Sequence, residues 1–183
     1  MLALVLGTAC TSEPARDQGP VENGTVAGGA TLESATALRV RNARMPVPHL
    51  VTAGQPTEKQ FDGLVEAGFG HFISLRPADE RGAGWEEAHA VDQSFDFERL
   101  PIADADALTR ENVEALAALL EAAGDAPTVL YCGSSNRVGA MLALKAYWVD
   151  GVDPEAALEL GQEAGMTRLE GRVRELLGLG SSD

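Results

Sequence analysis

Short β-prone apolar runs alternate along this chain with longer stretches in which apolar residues recur at helical spacing. The runs at 49–54, 72–75, 97–102 and 127–131 predict four strands. The helical stretches lie at 58–67, 85–91, 110–123, 137–149, 154–164 and 167–177. Strands that alternate with helices predict an α/β fold, a three-layer sandwich around a mostly parallel sheet of four to five strands.

Local signals fix the starts of two of these helices. Thr57 and Gln60 have the spacing of a capping box, and Thr109 is the expected N-cap of the helix at 110–123. Ligands of such sheets bind at the carboxyl ends of the strands. Cys132, Arg76 and a loop with two aspartates, Asp104 and Asp106, each follow a predicted strand. We therefore expect these side chains to converge at one edge.

The N-terminus has a different composition from the rest of the chain. Residues 1–9 are apolar, and Leu6-Gly7-Thr8-Ala9-Cys10 resembles the end of a bacterial lipoprotein signal, although a basic leading segment is missing. Residues 11–37 are poor in large apolar side chains, which predicts a flexible tether before a domain at 38–180. We expect an exported protein, lipid-anchored through Cys10 and facing the periplasm or the cell exterior.

The composition of the chain excludes some classes of binding partner. A formal charge of −14 argues against nucleic acid and against anionic membrane surfaces, so contact with a membrane is expected only through the lipid anchor. A hydrophobic content of 45% in 183 residues supports one core. The three histidines are far apart in the sequence, and neither a metal site nor a cofactor is predicted.

The candidate chemistry lies in the segment from Cys132 to Arg137. A predicted strand ends at Cys132, small polar residues follow, and Arg137 opens a helix. Backbone N–H groups of such a loop, together with the helix N-terminus, form a cradle for an anion and favour thiolate over thiol. Arg137 can hold two oxygens of a tetrahedral anion in one fork. Cys132 is therefore the candidate nucleophile.

Two segments carry a resemblance to a known family. The loop with Asn136-Arg137-Val138-Gly139-Ala140 is similar to the Cys-x4-Arg loop of the beta-lactamase-hydrolase-like phosphatases, a bacterial branch related to tyrosine and dual-specificity phosphatases. Gly54-Gln55-Pro56 and Leu75-Arg76-Pro77 resemble two further motifs of that family. Tyr131 replaces the usual His, and Ser135 replaces a Gly at a position expected to need a positive φ.

This resemblance implies a phosphatase-like fold and hydrolysis of a phosphomonoester, on a small molecule or a protein, through a phosphocysteine. Cys132 would attack phosphorus, Arg137 would bind the equatorial oxygens, and Asp104 would act as general acid, with Asp106 as the alternative acid. The implied substrate-binding residues are Gly133, Ser134, Ser135, Asn136 and Arg76.

Two other functions are compatible with the same loop. It is also similar to the loop of rhodaneses, in which Cys132 would carry a persulfide in a sulfurtransferase. The two departures at Tyr131 and Ser135 also leave open a weakly active module that binds an anion.

Overall fold

The computed structural model describes residues 29–180 of the chain. Its strands form one sheet in the order β1-β2-β5-β3-β4, which confirms the predicted α/β fold with a mostly parallel sheet. Of the four strand pairs, only β1 with β2 is antiparallel. The strands are β1 (Arg44–Val47), β2 (Leu50–Gly54), β3 (His71–Ser74), β4 (Asp96–Arg99) and β5 (Thr128–Cys132).

Helices cover both faces of the sheet, as in the predicted three-layer sandwich. The central strand β5 is buried on both sides, and its successive side chains enter two different apolar clusters. Leu130 packs in the cluster of α4–α7, whereas Val129 packs in the cluster of α1 and α2. The helices are α1 (Leu32–Ala37), α2 (Glu58–Glu66), α3 (Glu86–Gln93), α4 (Arg110–Ala123), α5 (Asn136–Trp148), α6 (Pro154–Glu163) and α7 (Glu170–Leu177).

The predicted helix starts are confirmed. Thr57 caps α2, and the side-chain oxygen of Gln60 accepts from the N–H of Thr57, which completes the capping box. Thr109 caps α4. The four predicted strands and six predicted helices all occur, with ends displaced by a few residues at most.

Two elements at the start of the domain were not predicted. Strand β1 contains Pro46 and lies at the sheet edge, the position in which a strand tolerates proline, and its pairing with β2 is irregular. Helix α1 lies inside the predicted tether at 11–37. Its Ala35 is completely buried in the α1–α2 cluster. The packed domain therefore begins before residue 38, and this part of the tether prediction is wrong.

Helix α5 connects the chemistry-bearing loop to the core. Nine of its residues are buried, because α4, α6 and α7 all pack against it. Gly139 allows the closest approach, since a Cβ there would lie 2.3 Å from the carbonyl oxygen of Gly161 and 2.4 Å from the nitrogen of Met166. Backbone atoms cannot yield as a flexible side chain would. Gly139 is therefore required for the seating of α5 against α6.

The parallel register brings the carboxyl ends of the strands to one edge. Gly54 pairs with Cys132, and Ser74 pairs with both Tyr131 and Arg99. The segments that follow these strand ends consequently meet above β5, as the sequence predicts.

The predicted signal segment at 1–10, its Cys10 and residues 11–28 of the tether lie outside the described residues. Within 29–180, no helix is both long enough and apolar enough to cross a membrane.

Candidate active site

The loop from Cys132 to Arg137, here called the anion loop, joins β5 to α5. Cys132 is only 1% exposed at its base. The N–H groups of Gly133, Ser134 and Ser135 donate no hydrogen bond to any acceptor in the described part of the chain. The N–H groups at the first turn of α5 are likewise free of intrahelical partners. The loop therefore offers a set of unpaired backbone donors next to a thiol.

Two residues before β1 determine how the anion loop is oriented. Asn42 donates from Nδ2 to the carbonyl oxygen of Ser134 at 3.0 Å, and Arg41 donates from Nη1 to that of Gly133 at 3.4 Å. The carbonyl and the following N–H of a trans peptide point in opposite directions. Because both carbonyls are bound from outside, the N–H groups of Ser134 and Ser135 face inward. No motif in the sequence indicated this role for Arg41 and Asn42.

Ser135 adopts the left-handed conformation that was predicted for its position, with φ 69° and ψ −9°. This conformation costs a non-glycine residue roughly 1 kcal/mol. The Ser135 hydroxyl donates to the carbonyl oxygen of Ala164 at 2.7 Å, which offsets part of that cost. The loop is thus fixed to the end of α6.

Arg137 is bound by a carboxylate that the sequence analysis missed. Glu80 accepts from Nη1 of Arg137 at 2.8 Å and from Nη2 at 2.9 Å, and the carbonyl oxygen of Ile102 accepts from Nη1 at 2.8 Å. A guanidinium has five N–H donors, of which these contacts use three. The remaining Nε–H and one Nη2–H lie along the same edge of the planar guanidinium and form a fork. This fork is the part of Arg137 that can bind an anion.

Glu80 and Arg137 each stabilise the ionised form of the other. Hydrogen bonds from Arg137 lower the pKa of Glu80 against the opposing effect of its burial, and Arg76 lowers it further. Burial alone would lower the pKa of Arg137, but the hydrogen bonds that it donates to Glu80 and the nearby sulfur of Cys132 raise it. Both groups therefore stay ionised at neutral pH, and Arg137 is held close to the thiol.

Arg76 has a supporting position. It donates to Glu80 at 2.9 Å, to Gln55 at 2.7 Å and to the carbonyl oxygens of Gly82 and Arg81. Four of its donors are used in this way, and its side chain is 7% exposed. In this placement Arg76 orients Glu80, and its predicted role in substrate binding stays a prediction.

The two candidate acids are placed differently. Asp104 lines an open cleft together with Arg137, and its Oδ1 accepts from the N–H groups of Asp106 and Ala107. Its Oδ2 accepts no hydrogen bond from the described residues. Asp106 does not line this cleft. The cleft, here called the anion cleft, has a volume of about 470 Å³ and is lined by Glu80, Ala103, Asp104, Ala105, Asn136, Arg137, Arg168 and Leu169.

The side chain of Asn136 faces the protein. Its Oδ1 accepts from the N–H of Thr167 at 2.8 Å, from the hydroxyl of Thr167 at 3.1 Å and from the N–H of Leu169 at 3.2 Å. The side-chain oxygen therefore fixes the turn at 167–169, which leaves the backbone N–H of Asn136 as its contribution to the cradle.

Tyr131, at the position where the phosphatases that the loop resembles have His, belongs to a buried polar network. Its hydroxyl donates to Oε1 of Glu86 at 3.2 Å, and Glu86 is completely buried. Arg99, Gln55 and the N–H of Gly84 also donate to Glu86. Burial, reinforced by the Glu86 charge, raises the pKa of Tyr131 above its ordinary range. Tyr131 is thus a neutral donor that helps to fix the end of β5.

Comparisons with known proteins agree with this geometry. Residues 35–174 match the family described as DSP-PTPase phosphatase fused to NAD+ kinase. The chain belongs to this family. The match covers the whole sheet and the anion loop. No curated protein matches the chain by sequence.

Solved structures with the same fold as this DSP-PTPase family member include several phosphatases. A candidate phosphatase from Shewanella putrefaciens CN-32 has 19% identity and a TM-score of 0.63, over 83% of this chain and 100% of its own. One from Neisseria meningitidis has 18% identity and a TM-score of 0.59, over 72% and 96%. A cysteine-to-serine variant of Pseudomonas aeruginosa TpbA in complex with phosphotyrosine has 19% identity and a TM-score of 0.55, over 76% and 84%.

These comparisons support a tyrosine- or dual-specificity-phosphatase-like family. They do not confirm the narrower resemblance to the beta-lactamase-hydrolase-like branch, which stays a prediction.

Proposed function

We propose that this chain is a cysteine-dependent phosphatase that hydrolyses phosphomonoesters through a phosphocysteine. The observation that carries the proposal is the anion loop, in which unpaired N–H donors lie between the thiol of Cys132 and the free fork of Arg137. The thiol can attack phosphorus, while the backbone donors and the guanidinium can bind the three equatorial oxygens of the phosphoryl group during its transfer. Membership in the DSP-PTPase family supports the same reaction.

In the first step, the Cys132 sulfur attacks phosphorus, the S–P bond forms and the ester P–O bond breaks. Inward N–H groups of residues 133–137 and the free fork of Arg137 bind the three equatorial oxygens. Oδ2 of Asp104, when protonated, gives its proton to the leaving oxygen, since Oδ1 is already occupied by two N–H groups.

In the second step, a water molecule attacks the phosphocysteine. Asp104, now a carboxylate, accepts a proton from that water, the new P–O bond forms, and the S–P bond breaks to regenerate the thiolate. Glu80 does not react in either step. It holds the guanidinium of Arg137 in one plane, so that the free fork needs no reorganisation when charge moves onto the oxygens.

The decisive experiment compares two reactions of the purified domain. We expect hydrolysis of an aryl phosphate and no transfer of sulfur from thiosulfate to cyanide. Cys132→Ser should abolish the hydrolysis, and Arg137→Lys should weaken phosphate binding because one ammonium cannot replace a planar fork. If the wild type hydrolyses no phosphate ester but forms a persulfide on Cys132 that cyanide removes, the proposal fails and the rhodanese interpretation replaces it.

The role of Asp104 has its own matched control. Asp104→Asn should slow hydrolysis of an alkyl phosphate by a factor of about 10² to 10⁴, and slow an activated aryl phosphate much less, because only the alkoxide needs a proton to leave. Asp106→Asn makes the same change two residues away and outside the anion cleft, and should leave both rates close to the wild type. The reverse pattern would assign the acid to Asp106.

We also propose that Cys10 anchors the protein to a membrane through a lipid. The support is the sequence of residues 1–10 alone. The phosphorylated substrate would then be reached on the periplasmic or external side.

A further inference from the structure

Arg168 is the cation in the anion cleft to which neither the fold nor the proposed reaction assigns a role. It lies on the turn between α6 and α7, is exposed, and lines the same cleft as Arg137 and Asp104. Among the described residues, no carboxylate lies within ion-pair distance of its guanidinium. Arg137 and Arg76, by contrast, share Glu80.

The backbone of Arg168 is held firmly relative to the anion loop. Residues on both sides of it, Thr167 and Leu169, donate their N–H groups to Oδ1 of Asn136, and Asn136 immediately precedes Arg137. The side chain of Arg168 therefore starts from a fixed point beside the loop, while its guanidinium remains free to turn. A positive group arranged in this way can recognise a charge at a variable but limited distance from the loop.

The charges that face the anion cleft leave Arg168 without a partner. Glu80 is neutralised by two guanidinium groups, and the free fork of Arg137 with the inward N–H groups is matched to one phosphate. Asp104 is engaged at Oδ1 by backbone donors. In a chain with 28 acidic and 14 basic residues, a cation without a carboxylate partner in this cleft favours an anionic group brought by the ligand.

We infer that Arg168 binds a second phosphate group of the substrate, so that the preferred substrates are small molecules with two phosphates and not simple monoesters. This inference rests on the proposed function, since the first phosphate is assumed to occupy the anion loop. A cleft of about 470 Å³ accommodates a ligand of that size, and a guanidinium fork binds phosphate oxygens in two parallel hydrogen bonds.

The test measures binding by calorimetry in the full-length Cys132→Ser variant, in which turnover cannot consume the ligand. The probes are α,ω-alkane bisphosphates with two to six methylene groups, each compared with the alkyl monophosphate of the same length. We expect a bisphosphate of one or two adjacent lengths to bind roughly 5- to 20-fold more tightly than its monophosphate, as suits a single exposed charge-assisted pair.

Variants then test whether Arg168 causes the preference for the bisphosphate. Arg168→Gln should reduce the bisphosphate-to-monophosphate ratio of affinities to about 2 or less, and Arg168→Lys should restore part of it through its charge. Arg172→Gln is the matched control. It removes the same charge from an exposed arginine on α7 that pairs with Glu175 and does not line the anion cleft. It should leave the ratio as in the parent.

The outcomes separate this inference from the proposed function. If monophosphates bind but no bisphosphate is preferred, or if Arg172→Gln lowers the ratio as much as Arg168→Gln, the inference is refuted while the phosphatase proposal stands. If an alkyl phosphate with a terminal carboxylate gains as much as the bisphosphate, the assignment to a second phosphate is refuted. If no monophosphate binds, the proposed function fails, and the inference fails with it.

Discussion

The contact between Glu80 and Arg137 gives the most quantitative prediction. Glu80→Gln keeps the size of the side chain but removes its charge. The amide oxygen of the new side chain can still accept a hydrogen bond from one Nη of Arg137, whereas the other Nη would face the amide N–H groups. Arg76 also loses its anionic partner. The Arg137 and Arg76 side chains are 14% and 7% exposed and the Glu80 side chain is 32% exposed, so this is a partly buried pair.

The expected magnitude follows from that burial. Loss of one member of a fully buried pair costs about 3–5 kcal/mol, and an exposed pair contributes about 0–1 kcal/mol. For a pair at this depth we expect a loss of about 1–2 kcal/mol at pH 7. In a chain of this size this corresponds to a fall in Tm of about 2–8 °C.

The pH dependence provides an internal check. Arg137 lowers the pKa of Glu80 below its usual value of 4.5, so the unfolded state takes up a proton first as the pH falls. The stabilisation by Glu80 is therefore complete well above pH 4.5 and is lost as the pH falls through the lower pKa of the folded state. Consequently, the difference in Tm between wild type and Glu80→Gln should shrink steadily below pH 4.5.

The assay is thermal unfolding between pH 3 and pH 8, with Glu121→Gln as control. Glu121 is exposed on α4, so that variant makes the same change in net charge far from any guanidinium network. Equal Tm values for wild type and Glu80→Gln at pH 7, or a difference that does not depend on pH, would refute the reasoning.

Two further predictions concern packing and anchoring. Gly139→Ala should lower the free energy of unfolding by about 2–3 kcal/mol, because the new Cβ meets backbone atoms of Gly161 and Met166. Gly171 lies on α7, and no atom lies within 4 Å of a Cβ placed there. Gly171→Ala should therefore raise the free energy of unfolding by about 0.5–1 kcal/mol in the same denaturant titration. A loss of stability in both variants would contradict the packing argument. Cys10→Ser should move the protein from the membrane fraction to the soluble fraction of the expressing cells, and equal membrane fractions would contradict lipidation.

The sequence was sufficient for features that depend on local signals. The capping box of Thr57 and Gln60 and the strand that ends at Cys132 follow from spacing and apolar runs, and both are confirmed. The left-handed conformation at Ser135 could be predicted because the resembling family has glycine there.

Long-range partners could not be predicted in the same way. Glu80 lies 57 positions from Arg137, and Asn42 lies 92 positions from Ser134. Their roles arise only when parallel pairing brings the ends of different strands to one edge. Helix α1 was missed because its six residues carry little apolar periodicity, although Ala35 is fully buried in the core.

If the protein is anchored through Cys10 as proposed, the position of the two residues that orient the anion loop has a mechanical consequence. Arg41 and Asn42 lie a few residues after α1, on the only covalent path from the N-terminus to the sheet. Before a pull on that path reaches Arg41, it meets the buried Ala35 of α1 and the Gln60 amide, which donates to the carbonyl oxygens of Leu38 and Arg39. These contacts would resist a force on the N-terminal segment before it reached Arg41 and Asn42. Tension at an anchor would be borne by α1 and α2, and the hydrogen bonds that aim the loop donors would stay unloaded.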